Sequence, residues 1–398
     1  MSRLGVFLCS IGLLLLLGGC QQRPNNIRQI VYSDGYLNIC GWDRTERFSL
    51  MDNKLESYPF KCNIMHLAKN GWVWSGGSRS IRVYHDKEWH EVDLALAHNL
   101  GFVYEVQALS ETSDGLIWVS SSLLSVYNPL TGQASVVIPT IPVPTPTSAP
   151  KSDTIDIVTS PSNGDMGPVF EAADGALWYN QQFDGIVRWD RATGQKQLWS
   201  PNDGFQGRTP IPTKFIQTQD GDIWMGLLHR GVYRWHNGMW QTWLLPSEDG
   251  SCFGAPLNEK EVVTSARRLD PQRRFWRCRG QGDFTVIDML EDRQGWVWVA
   301  FNNGGVTMWD GSEWNMIGDF ETPATPMVLY EDSAGTMWIG SLQHGVGKYH
   351  DGTLTMFPKL NIVTFVETPD HRLFGGGSEG LFLYNRASDQ WEKYPPGQ

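Results

Sequence analysis

Seven times between Trp74 and Phe374 the chain runs through a short polar turn with Gly, an apolar residue, an aromatic and a Gly-rich reversal. The two clearest copies are EDRQGWVWVAFNNGGVTMWDGSEWNMI from Glu291 and EDSAGTMWIGSLQHGVGKYHDGTLTMF from Glu331, and they match almost position for position. A unit of this length cannot bury its own apolar face, so the copies must stack on one another. The aromatic of each copy marks its phase: Trp74, Trp118, Trp178, Trp224, Trp298, Trp338 and Phe374. A divergent first copy, SDGYLNICGWDRTERFSLMDNKLESYPF, places Asn38 at that point and makes eight. Successive separations are 36, 44, 60, 46, 74, 40 and 36 residues, so the basic period is about 40 and two units carry insertions.

Helical solenoids also repeat near this length, and the residues inside the unit decide between them. Segments such as Gly335–Gly340 and Gly221–Gly226 are short, apolar and bounded by Gly and Asp, without the i, i+3, i+4 spacing of a helix. A reversal with Gly (Gly231, Gly305, Gly345, Gly380) leads to a second alternating run, and an Asp/Asn/Gly turn to a last aromatic run. Each unit therefore predicts four short antiparallel strands. The expected fold is all-β, a single β-propeller whose blades cover one another's faces. Eight blades are expected, or seven if the first copy is only a decoration. Every copy supplies its own four strands, so closure of the ring is expected without a shared strand.

The copies EAADGALWYNQQFDGIVRWDRATGQ and QTQDGDIWMGLLHRGVYRWHNG, with the two quoted above, resemble the two-component-regulator propeller repeat. That pattern is a D-x-x-G-x-L-W-I-G turn and strand followed by a G-G-L-x-R-Y-D hairpin. The resemblance covers most of residues 28–394 and implies extracytoplasmic sensing or binding. Well-known members join the propeller to a transmembrane helix and a histidine kinase. Up to Gln398 this sequence shows neither a second apolar span nor a kinase segment.

The 19 Trp residues far exceed ordinary usage, and the phase-locked ones account for much of the excess, because large flat rings fill the wedges between blades. At the N-terminus, Arg3, the apolar run Val6–Leu17 and Leu17-Gly18-Gly19-Cys20 form a signal segment ending in Cys. A run of that length falls short of the ~20 residues a bilayer span needs. The L-G-G-C stretch resembles the bacterial lipobox, which implies a signal peptide over 1–19, a lipidated Cys20 and a short tether over 20–27. The propeller then occupies 28–398, lipid-anchored at a bacterial membrane on its extracytoplasmic side.

Removal of Cys9 and acylation of Cys20 leave Cys40, Cys62, Cys252 and Cys278, which allow three pairings. Blade geometry brings Cys40, ending the second strand of the first copy, to the same face as Cys62, which opens the second copy. Cys252 and Cys278 bracket most of one insertion. Two disulfides are expected in an oxidising compartment; zinc is the alternative, without any C-x-x-C pair to support it.

A formal charge of −11 without a basic run argues against nucleic acid and against direct binding to anionic lipid. The insertions, 139–167 with its PTIPVPTPTSAP start and 246–283 with six arginines, both fall between the last strand of one blade and the first of the next. These connections share a face with the Gly-rich reversals, and long loops on a rigid scaffold are where binding concentrates. On that face Arg79, Gln181, Gln182, His229, Arg230, Asn302, Asn303, Gln343, His344 and Glu379 are the candidate ligand-binding residues, suited to a sugar or a peptide. Solvent-edge reversals are polar in any case, and no metal or cofactor is expected. The acidic turns at Asp174, Asp220, Asp292 and Asp332 are expected in one phase on the opposite face, as turn caps.

No G-x-S-x-G elbow, H-E-x-x-H or phosphate loop is present. The leading expectation is a monomeric, membrane-anchored propeller that binds a ligand or an envelope protein on its insertion-bearing face. The alternatives are a propeller lyase or hydrolase using a pair such as His344 and Glu379, and an architectural subunit of an envelope complex.

Overall fold

The computed structural model describes residues 27–395 except 79, 93–104, 122–123, 139–166, 182–183, 204, 206–209, 244, 247–250, 254–275, 278–284, 303–304, 318–325 and 343. The expected signal segment, Cys20, most of both insertions, and Arg79, Gln182, Asn303, Gln343 and Cys278 lie outside the described residues.

Eight four-stranded antiparallel sheets follow one another along the chain, each built from consecutive strands in simple meander order. Their first strands are Ile27–Ser33, Ile64–Leu67, Ala108–Glu111, Phe170–Glu171, Pro212–Gln217, Val286–Glu291, Pro326–Glu331 and Thr364–Glu367. These strands are innermost, and Ile27–Ser33 touches both Ile64–Leu67 and Thr364–Glu367. The molecule is thus an eight-bladed propeller, and the described residues contain no helix. The second insertion forms a small sheet of its own from Leu245–Pro246, Ser251–Phe253 and Trp276–Arg277.

The phase-marking aromatics fill the wedges between blades. Trp74, Trp178, Trp224, Trp298, Trp338 and Phe374 are fully buried. Four of the blade Trp residues meet an aromatic of the following blade at an edge-to-face angle: Trp74 with Tyr127, Trp118 with Trp189, Trp298 with Tyr349 and Trp338 with Tyr384, at centroid distances of 5.4, 6.4, 5.1 and 4.6 Å. Edge-to-face pairing places the positive ring edge on the negative face and adds about 0.5–1.5 kcal/mol to the burial itself.

The first wedge is chemically different. Asn38 is as buried as the Trp residues, and its Oδ1 accepts from Arg47 Nε at 3.2 Å. The Arg47 guanidinium stacks over Tyr84 of the second blade at 4.1 Å and donates to its hydroxyl. A buried cation with these partners takes the place of an indole.

Gly at the end of the second strand allows the next blade to come close. A Cβ added to Gly226 would lie 2.5 Å from Val286 Cγ1, on the innermost strand of the neighbouring blade. Closure uses no shared strand. The last blade brings Phe374, Leu381 and Tyr394 against Ile27, Ile30, Leu37 and Phe48 of the first in one apolar cluster. Cys40 and Cys62 are joined in a disulfide between the first and second blades, with Cα atoms 5.2 Å apart.

Candidate functional site

Each blade ends its first strand at the turn-bearing mouth of the channel, the face opposite the insertions. The residue at this point is Glu111, Glu171, Glu291, Glu331 or Glu367 in five blades and Gln217 in a sixth. Each reaches back to the turn of the preceding blade and accepts a backbone N–H there. Lys69 donates to Glu111 at 2.8 Å, Ala173 to Gln217 at 2.6 Å, Gln219 to Glu291 at 2.9 Å and Arg293 to Glu331 at 3.2 Å. Ser113 likewise donates to Glu171, and Ser333 to Glu367 at 2.7 Å. The bonds tie one blade to the next near the channel, and the five with a carboxylate acceptor are charge-assisted.

Two arginines brace the clamps. Arg191 bonds Asp114 and Glu171, and Arg386 bonds Asp332 at 3.1 Å and Glu367 at 2.9 Å. Burial alone would raise the Asp332 carboxyl, but the Trp338 indole N–H, the Thr336 N–H and Arg386 together hold it below its ordinary value. Burial wins at Glu331, whose carboxyl is raised although Arg293 opposes the rise.

The acidic turns close on themselves as expected, but not in one phase. Asp174 and Asp220 stand directly before the turn Gly, whereas Asp292 and Asp332 open the turn. The second pair accepts the blade Trp: Trp298 Nε1 donates to Asp292 at 2.7 Å and Trp338 Nε1 to Asp332 at 3.0 Å. In the third blade Thr112 holds the opening position and accepts the Trp118 indole at 3.2 Å.

The ring of clamps is interrupted at the closure seam. The first and second blades carry Ser33 and Leu67 in place of the carboxylate, and the turn of the eighth blade carries Pro369 where an N–H would donate. There an open cleft of about 540 Å³ lies between the seventh, eighth, first and second blades. Ile30, Val31, Leu67, Tyr330, Val366 and Pro369 form its apolar part, and Leu67 is 39% exposed. Glu367, Ser333 and His371 make a polar edge. Ser333 Oγ donates to Glu367 at 2.7 Å and bonds His371 Nδ1 at 2.9 Å. Because the serine bonds both partners directly, the three do not form a relay that hands a proton from serine through histidine to the carboxylate.

Of the candidate residues of the opposite face, Gln181, His229, Arg230, Asn302, His344 and Glu379 are described. Gln181 Nε2 donates to Asp184 at 2.9 Å. Arg230 donates to the Phe205 carbonyl at 2.7 Å, and the His229 N–H to Thr285 Oγ1 at 3.0 Å. The Asn302 N–H donates to the Thr285 carbonyl at 2.8 Å, so His229 and Asn302 meet at Thr285. The His344 N–H donates to Ser341 Oγ at 3.0 Å, and Glu379 is exposed without an ion pair to His344. The side chain of Cys252 lies outside the described residues.

Sequence reasoning had a signal for the clamps and did not use it: Glu111, Glu171, Glu291, Glu331 and Glu367 each lie seven residues before the blade aromatic. Leu67 has the same spacing from Trp74.

No protein-family model and no curated protein sequence matches the chain. Among solved structures, the computationally designed Ika8 protein is similar at 12% identity and a TM-score of 0.55, over 90% of this chain and 95% of that one. A streptogramin B lyase matches at 11% identity and 0.47, over 90% and 93%. The extracellular domain of a protein described as hybrid two-component system BT3049 from B. thetaiotaomicron matches at 14% and 0.34, over 92% of this chain but 57% of that one. The chain thus spans little more than half of that domain. The similarity to Ika8 bears on the fold alone, and the fold, with its eight four-stranded sheets, is the β-propeller.

Proposed function

We propose that this chain is an extracytoplasmic propeller of the two-component-regulator type, lipid-anchored through Cys20, which binds a ligand or partner protein at its turn-side channel mouth. The observation that carries the reading is the apolar cleft where the ring of clamps is interrupted. Ligand sites are concave, mostly apolar and fitted with a few polar groups, with volumes of about 300–1,000 Å³. The cleft is open, but it is mostly apolar, is edged by Glu367, Ser333 and His371, and has a volume of about 540 Å³.

Two observations support the location. The Cys40–Cys62 disulfide suits an oxidising compartment. The first blade starts at Ile27, on the insertion-bearing face, seven residues after Cys20. Seven residues reach at most about 25 Å, so a lipid on Cys20 would hold that face toward the membrane and turn the cleft outward.

A second reading places a partner protein on the insertion-bearing face, as an envelope-complex subunit. It is favoured by the second insertion, which builds its own three-stranded sheet rather than trailing as a plain loop. One experiment separates the two. The lipidated protein is used to capture partners as wild type, as Leu67→Gln, and with 140–164 and 247–282 deleted. Loss of capture with Leu67→Gln alone supports the channel mouth; loss with the deletions alone removes it in favour of the insertion face. Cys20→Ser should release the protein from membranes, and retention would overturn the anchor.

A further inference from the structure

We infer that the cleft at the channel mouth takes a basic peptide segment, seating one bulky aliphatic or aromatic side chain between Leu67, Val31 and Val366. The inference rests on the channel-mouth reading and adds the chemistry of the occupant.

Two independent features of the face select that chemistry. The first is the apolar floor. Leu67 occupies a position that is Glu in five blades and Gln in a sixth, at a solvent edge where ring closure gains nothing from an exposed leucine. Tyr32 and Tyr330 flank the same floor. Their oxygens accept the Gly35 N–H at 3.3 Å and the Glu367 N–H at 3.1 Å, which fixes both rings beside the floor. A sugar would find few donors there; a leucine or phenylalanine side chain would find aliphatic and aromatic walls.

The second feature is charge. The arginines of this face are engaged by its own carboxylates: Arg188 by Asp174, Arg191 by Asp114, Arg234 by Asp222 and Arg386 by Asp332. Further carboxylates stand exposed on the same side, with Asp86 at 90% and Asp351 at 92% side-chain exposure, and Asp34 beside the cleft. Glu367 in the cleft wall is already held by Arg386 and Ser333, so the attracting charge comes from the exposed turns. A face with this balance, on a chain of net charge −11, repels anionic lipid and nucleic acid and draws cationic segments. Lysines or arginines flanking the anchoring side chain would lie over the acidic turns.

The test uses the mature chain with its disulfide intact and three probes: a fluorescein-labelled peptide with central Leu-Phe-Leu flanked by lysines, its glutamate-flanked counterpart, and the uncharged dye Nile red. Fluorescence anisotropy should show the lysine peptide binding at least about tenfold more tightly than the glutamate peptide at low ionic strength, with the gap closing as salt screens the face. Leu67→Gln, which installs the residue of the fifth blade, should weaken the lysine peptide by about tenfold. Far-ultraviolet circular dichroism and Tm of the variant keep a folding failure apart from a binding failure. Equal affinity for both peptides, or Leu67-dependent binding of Nile red alone, overturns the basic-segment inference and leaves the channel-mouth reading standing. No Leu67-dependent binding of any probe overturns both.

Discussion

The backbone N–H of Ile30 donates to Thr364 Oγ1 at 3.1 Å, joining residues 334 apart in sequence across the seam that closes the ring. The first and last blades meet here through side chains, without a strand exchanged between the termini. Ile27 and Ile30 pack on Gly376 so closely that a Cβ there would lie 2.6 Å from Ile30 Cδ1 and 2.7 Å from Ile27 Cγ2.

Gly376→Ala should therefore destabilise the protein by about 1–3 kcal/mol through overpacking. Ile30→Val in the same background should recover part of that loss, because it removes Cδ1, the atom nearest the new methyl. Chemical denaturation of the two single variants and the double variant measures the coupling. Additive losses would show that the seam relaxes around the new methyl and does not limit closure.

The carboxylate clamps make a second expectation quantitative. Glu171 is largely buried, accepts the Ser113 N–H, bonds Ser113 Oγ at 2.9 Å and holds Arg191. Glu171→Leu leaves these donors without their acceptor and should cost about 1.5–3 kcal/mol. Glu171→Gln keeps one acceptor oxygen, as Gln217 does for Ala173, and should cost clearly less. Hydrogen exchange at the Ser113 amide reports the clamp directly: protection should fall strongly in the Leu variant and weakly in the Gln variant.

The contrast between these two sites explains what the sequence disclosed. Trp298, Trp338 and their counterparts recur at a fixed place in seven of the eight units, and a repeated large apolar residue points to a repeated burial. The blade count therefore followed from phase alone, and even Asn38 was found in its slot, although its partner Arg47 was not. The cleft is defined by departures instead. Ser33, Leu67 and Pro369 are ordinary residues, informative only once the glutamate at the same point of other blades is known to hold a turn N–H. That bond joins residues 34 to 72 positions apart in different sheets, and no local pattern announces it. The polar reversals around His229 and His344 drew attention to the other face, where the His229 N–H bonds Thr285 and the His344 N–H bonds Ser341.

The disulfide offers a test of how far the divergent first blade depends on its neighbour. Cys40 ends the second strand of the first blade, Cys62 precedes the first strand of the second, and the bond spans 22 residues. Closing a loop of that length in the unfolded chain is worth about 3 kcal/mol by chain entropy. Cys40→Ala with Cys62→Ala should lower stability by that order. Limited proteolysis should then cut first within 43–61, between the two cysteines. A first cut elsewhere would show that the Asn38, Arg47 and Tyr84 contacts hold the blade without the bond.

Glu46 gives the seam a pH dependence. It lies on the third strand of the first blade, paired in register with Ile39 of the closure cluster, and is 5% exposed. Burial pushes its carboxyl up to about 7; Arg44, 3.9 Å away, opposes the rise, and Asp43 adds to it. The ordinary value is 4.5, so between 4.5 and about 7 the folded chain holds more proton on this group than the unfolded chain does. Its contribution to stability is therefore most favourable below 4.5, falls as pH rises through that window, and levels off above about 7. Glu46→Gln is neutral throughout and escapes the loss. The Tm of the variant should match wild type near about pH 4.5 and exceed it by a few degrees near about pH 8, the gap opening across the window. A gap that is constant with pH would mean that the Glu46 carboxyl stays ionised in the fold, hydrated at the edge of the seam.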